Sequence, residues 1–178
     1  MLSFFTVKGQ NPSLIPLPQS VQWNQEVVPL INFKSIFISD GSLHHLAVYL
    51  QSIINQSGGK TSILSKVNTA VSGTIELKLA KVESPSLATE AYELNISKDK
   101  ITLTANTLHG IFNGIQTLRQ LIHKGTITSC VINDWPAFTW RGYMVDVGRN
   151  YQSVQLLKQQ IDIMSRYKLN VFHFHPTE

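Results

Sequence analysis

Between Arg141 and His175 the sequence spells strand, helix, strand. Residues 141–147 (Arg-Gly-Tyr-Met-Val-Asp-Val) form a strand run. Ser153 is placed to cap a helix over 154–167, and Val154, Leu157, Ile161 and Met164 share one stripe of it. Asn170 ends the helix, and residues 171–175 (Val-Phe-His-Phe-His) form a second strand. Short connections on either side of one helix make this a βαβ unit with parallel strands. Alone, such a unit leaves strand edges and apolar faces uncovered. Residues 136–178 are therefore expected to begin a larger domain, and as an isolated chain to favour self-association.

The residues before this unit are organised differently. Pro12, Pro16 and Pro18 impose an extended lead-in. Short strands are expected over 27–31 and 35–39. A helix follows over 42–56, capped by Asp40 or Ser42 and stopped at Gly58-Gly59. Period-two alternation then predicts strands at 75–79, 92–96 and 101–105, with a hairpin turn at Asp99-Lys100. Thr107 is placed to cap a second helix whose stripe runs Leu108, Ile111, Phe112, Ile115, Leu118, Leu121 and Ile122. Gly110 and Gly114 lie inside it, each at a cost of about 1 kcal/mol relative to alanine. Close packing of the helix on a sheet accounts for them better than a phosphate loop, whose glycine pattern is missing. A strand over 126–132 follows, and Asn133-Asp134-Trp135-Pro136 reads as a linker. The fold class is α+β, with helices packed on a mixed sheet.

Composition narrows the function classes. Of 178 residues, 43% are hydrophobic and 15% charged, enough to build a core and too few charges for a disordered chain. No apolar run approaches the length of a membrane span. The charge of +4 is scattered, with no basic cluster, so nucleic acid is not expected as a partner. The single cysteine, Cys130, excludes an internal disulfide and a cysteine-based zinc site, and it sits in an apolar strand. Met1 to Phe5 is too short an apolar run for a signal peptide and lacks a basic start.

The stretch Asp134-Trp-Pro-Ala-Phe-Thr-Trp-Arg-Gly-Tyr-Met-Val-Asp-Val-Gly-Arg149 resembles the opening of the catalytic barrel of family 20 glycoside hydrolases, the β-N-acetylhexosaminidases. Ile161-Asp162, Tyr167-Lys-Leu-Asn170 and His173-Phe-His175 resemble the helix and strand that come next. Upstream, Leu14-Ile-Pro-Leu-Pro-Gln-Ser-Val21, Tyr92-Glu-Leu and Gly110-Ile-Phe-Asn-Gly-Ile-Gln-Thr-Leu-Arg-Gln120 resemble the non-catalytic domain that precedes the barrel. The resemblance divides the chain into an N-terminal extension (1–13), an accessory domain with helices on one face of its sheet (14–135) and the first strand-helix-strand of a (β/α)₈ barrel (136–178). A whole barrel takes about 250 residues.

The resemblance implies removal of terminal β-linked N-acetylglucosamine or N-acetylgalactosamine from glycans, without a cofactor or a metal. It also implies an extracytoplasmic location. The sugar's own acetamido oxygen serves as nucleophile, and an adjacent Asp-Glu pair orients that group and protonates the leaving oxygen. The 178 residues contain no Asp-Glu dipeptide, so no catalytic residue is assigned and the chain is expected to be inactive by itself. The resemblance assigns Arg141 to the sugar hydroxyls, the alternative being an ion pair at the domain junction. Simple geometry would favour Asp146 or Arg149, because barrel sites form at the C-terminal ends of strands, but Arg141 is placed first on the resemblance, and Asp146 and Arg149 are expected to support the site as a salt bridge that fixes the first loop. His173 and His175 share one strand face and are expected to support the site from the barrel interior. As a His-x-His pair they lack an identifiable third metal ligand.

Overall fold

The computed structural model describes residues 12–64, 72–87 and 89–176. Most of the expected N-terminal extension and the terminal Glu178 lie outside them. The elements are β1 (Ser20–Pro29), β2 (Ser35–Ile38), α1 (His44–Gln56), β3 (Ser62–Leu64), β4 (Thr74–Leu79), β5 (Tyr92–Ile96), β6 (Lys100–Ala105), α2 (Leu108–Leu121), β7 (Ile122–His123), β8 (Thr126–Asp134), β9 (Gly142–Asp146), α3 (Val154–Arg166) and β10 (Val171–His175).

The first eight strands form one mixed sheet in the order β1-β8-β5-β6-β4-β2-β3, with β7 on β8. Strands β2, β3, β4 and β6 run parallel to their neighbours in that group, while β1, β5, β7 and β8 pair antiparallel. Helix α2 lies across β4, β5 and β6, and α1 lies beside it on β2 and β3. Their stripes, with Leu50 and Ile54 on α1 and Ile111, Ile115 and Leu118 on α2, meet Ile36, Leu77, Leu94 and Leu103 in one core. The other sheet is the parallel pair β9–β10.

The caps follow the expected chemistry. Thr107 accepts the Gly110 N–H (3.3 Å) and Ser153 the Leu156 N–H (3.2 Å). Asp40 accepts the Ser42 N–H (2.8 Å), but what it caps is a short 3₁₀ turn, Gly41–Leu43, that leads into α1. Both helix glycines sit where the helix meets the sheet. A β-carbon on Gly110 would lie 2.6 Å from the Ala91 carbonyl oxygen, and one on Gly114 2.2 Å from a Leu103 methyl.

Two expectations need correction. The first strand spans Ser20–Pro29 rather than 27–31, and Leu30–Asn32 is a 3₁₀ turn. The register against β8 shifts between Trp23 and Val27, and this bulge breaks the alternation that would have announced the strand. The expected linker begins inside β8. Asn133 pairs with Ser20, and Asp134 ends the strand with only 7% of its surface exposed.

Candidate functional site

The parallel register sets Gly142 opposite Val171 and, at the far ends of the two strands, Asp146 opposite His175. The His175 Nδ1 lies 3.6 Å from the Asp146 carboxylate. The same carboxylate accepts the Arg149 backbone N–H at 3.0 Å, and the Arg149 Nε stands 3.5 Å from it. The Arg149 N–H, followed by His175, holds the Asp146 carboxyl below its ordinary value of 3.8. The Arg149 side chain is three-quarters exposed.

Strand alternation puts Met144 and His173 on the same face as Asp146 and His175. Tyr143, on the opposite face, lines an apolar groove with Ile163 and Met164 of α3. The helix therefore covers the Tyr143 face, and the Asp146–His175 face is turned away from it. In a barrel of parallel strands ringed by helices, that second face is the interior. His173 is exposed there, with Phe172 and Phe174 stacked at 6.3 Å on the alternate positions. Among the described residues no three His, Cys, Asp or Glu side chains are grouped to hold a metal ion.

Arg141 stands at the other end of β9, about 16 Å from Asp146 by strand rise. Its Nε donates to the Lys168 carbonyl (2.8 Å), one terminal nitrogen to the Phe138 carbonyl (2.5 Å), and the other to the Glu90 carboxylate. Glu90 belongs to the accessory sheet's side of the junction. It also accepts from the Asn113 amide at 3.1 Å, with the His109 Nε2 at 3.5 Å. The position of Arg141 is thus that of an ion pair between the two sheets.

A second pair, this one buried, lies alongside. The Lys168 ammonium donates to Asp134 (2.8 Å) and to the Tyr92 hydroxyl (2.9 Å) and lies 5.0 Å from the centre of the Tyr92 ring. The Tyr92 hydroxyl also bonds to Asp134 (2.8 Å) and to Thr117 (2.6 Å). Burial pulls Lys168 below the ordinary amine range, with Asp134 pulling the other way. Burial, reinforced by Asp134, pushes Tyr92 well above the ordinary phenol value. Sequence reading places Tyr92 in a strand and Lys168 in a family-like stretch, but assigns no site role to Glu90, Tyr92 or Lys168. The available sign was charge placed where the pattern called for burial, at Asp134 beside a strand and at Glu90 just before one.

The arrangement is an accessory α+β sheet joined by a part-buried and a buried ion pair to a parallel β9–β10 unit with polar side chains at its C-terminal ends. Residues 11–135 match "Glycosyl hydrolase family 20, domain 2", and residues 138–178 match "Glycosyl hydrolase family 20, catalytic domain". The chain belongs to glycosyl hydrolase family 20. Among family 20 relatives, the beta-hexosaminidase of Porphyromonas gingivalis is 31% identical over 182 residues, covering 96% of this chain and 23% of that protein. Beta-hexosaminidase 1 of Arabidopsis thaliana is 29% identical, covering 92% of this chain and 36% of that protein. The solved N-acetyl-beta-hexosaminidase of Streptomyces plicatus superposes with a TM-score of 0.77 at 27% identity, over 91% of this chain and 34% of that one. The chain thus spans between about a quarter and just over a third of the lengths of these family 20 relatives.

Proposed function

We propose that the protein carrying this chain is a β-N-acetylhexosaminidase that removes terminal β-linked N-acetylglucosamine or N-acetylgalactosamine from glycans with retention of configuration. The observation that carries this reading is the match of both parts of the chain, in order, to the two family 20 domains. In the proposed reaction the acetamido oxygen of the bound sugar attacks the anomeric carbon. A carboxylic acid protonates the leaving oxygen, and water then opens the oxazolinium intermediate. The 178 residues lack the Asp-Glu pair this needs, and their role is to build one side of the sugar subsite.

Within that subsite Arg149, rather than Arg141, takes the sugar hydroxyls. A guanidinium offers a planar fork of donors to two neighbouring oxygens. The Arg149 side chain is exposed at the C-terminal end of β9, the end at which barrel sites form. Asp146 aims it and His175 backs Asp146. Arg141 serves the junction with Glu90.

The deciding experiment compares the full-length protein with the 178-residue chain on a chromogenic β-N-acetylglucosaminide. An active full-length protein beside an inactive chain is the expected result. Turnover by the 178-residue chain would overturn the division of labour. Inactivity of both folded proteins would favour the alternative, a non-catalytic carbohydrate-binding or domain-packing module.

A further inference from the structure

Each ion pair at the junction belongs to one strand of the β9–β10 unit. Arg141, bound to Glu90, immediately precedes β9, and Lys168, bound to Asp134, shortly precedes β10. The two strand starts are also tied to each other. Asn170 accepts the Arg141 N–H through its side chain (3.0 Å), and its own N–H donates to the Arg141 carbonyl (2.9 Å). The Arg141 Nε closes the knot on the Lys168 carbonyl (2.8 Å).

Both acids are fixed from the accessory side. Glu90 is held by Asn113 of α2, and Asp134 by Tyr92 of β5, which in turn bonds to Thr117 of α2. The accessory sheet therefore supplies the reference points for where β9 and β10 begin. The register begun there, Gly142 opposite Val171, is the one that brings Asp146 and His175 together at the far ends. A slip of one residue would turn one of those two side chains to the opposite face.

We propose that Glu90 and Asp134 are positioning residues for the family 20 reaction: through Arg141 and Lys168 they set the register of β9 against β10, and so the placement of Asp146, Arg149 and His175 against the sugar. The effect on turnover rests on the hexosaminidase reading; the effect on register does not.

The test uses the full-length protein with Glu90→Gln, which keeps the side-chain size and removes the charge. Ile36→Val in the accessory core serves as a control that weakens the same sheet away from the junction. Two quantities are read: kcat/KM on the chromogenic substrate, and the titration midpoint of the Asp146 carboxyl by NMR. Glu90→Gln is expected to lower kcat/KM by about tenfold or more, the scale of a small misplacement of a substrate-binding group. It is also expected to move the Asp146 midpoint up toward 3.8. Ile36→Val should leave both where they are in the wild type. A folded Glu90→Gln protein with an unmoved Asp146 midpoint would overturn the proposal, as would a control that moves it equally. Should Glu90→Gln not fold, Arg141→Lys, which keeps the charge but loses the fork, is read by the same criteria. A wild-type protein without turnover whose Asp146 midpoint still responds to Glu90→Gln would sink the hexosaminidase reading and uphold the register.

Discussion

Lys168 reaches from the end of α3 into the accessory sheet and places its ammonium 2.8 Å from the Asp134 carboxylate. The backbone of Lys168 lies in the left-handed region (φ 60°), where a side chain costs about 1–2 kcal/mol. Helices commonly end there on glycine. The lysine at that position sets its ammonium against Asp134 and the Tyr92 hydroxyl. Lys168→Met should destabilise the folded chain by about 3–5 kcal/mol, because Asp134 is left charged and buried against Tyr92. Lys168→Gly should also destabilise, although it relieves the backbone. Adding Asp134→Leu to Lys168→Met should recover part of the loss. Urea unfolding of the three variants checks this, and a Lys168→Gly protein as stable as wild type would refute the account.

The Asp146 carboxyl is held below 3.8, first by the Arg149 N–H. A depressed carboxylate favours the folded arrangement when ionised, so its contribution is complete above about pH 3.8 and disappears as pH falls through the lower folded value. The Asp146–Arg149 turn should therefore persist slightly below pH 3.8 and open only under stronger acid. NMR titration of the Arg149 amide against the Asp146 carboxyl reads both midpoints, and they should coincide.

The two helix glycines should differ in what alanine costs. At Gly110 the new carbon meets the Ala91 carbonyl at 2.6 Å, which is backbone and cannot yield without moving β5 or α2. At Gly114 it meets the end of Leu103, which has other rotamers. Overpacking costs about 1–3 kcal/mol, against a gain of about 1 kcal/mol in helix propensity. Gly110→Ala should lower the unfolding free energy clearly, and Gly114→Ala by less. Equal losses by thermal or urea unfolding would contradict this.

The Cys130 thiol faces the core, and burial pushes it up to about 12. It should resist a thiol reagent at pH 8 in the folded chain and react as soon as the sheet opens. The labelling rate then reports unfolding of β8 directly, and rapid labelling under native conditions would contradict the burial.

The elements built on regular spacing were legible in the sequence. The alternation of Tyr92, Leu94 and Ile96 predicts β5, and the stripe from Leu108 to Leu121 predicts α2, because burial on one face leaves a period in the chain. Strand β1 was not legible, since its bulge between Trp23 and Val27 destroys the period. Strand β3 was missed because three residues carry too little pattern. At the site, the shared face of His173 and His175 followed from alternation, and the resemblance directed attention to the Arg141–Arg149 stretch. The partners of Arg141 and Lys168 did not follow. Glu90 lies 51 residues from Arg141, and Tyr92 lies 76 from Lys168, and no local rule relates polar groups so far apart.

The boundary at Trp135-Pro136 looks from the sequence like a natural place to separate the two parts. A cut there would part Glu90 and Asp134 from Arg141 and Lys168, which are on the other piece. The same holds during synthesis, when the accessory sheet leaves the ribosome before Arg141 and Lys168 do. Until those residues arrive, water must stand in for them, and the sheet completes its own electrostatics only by taking hold of its neighbour.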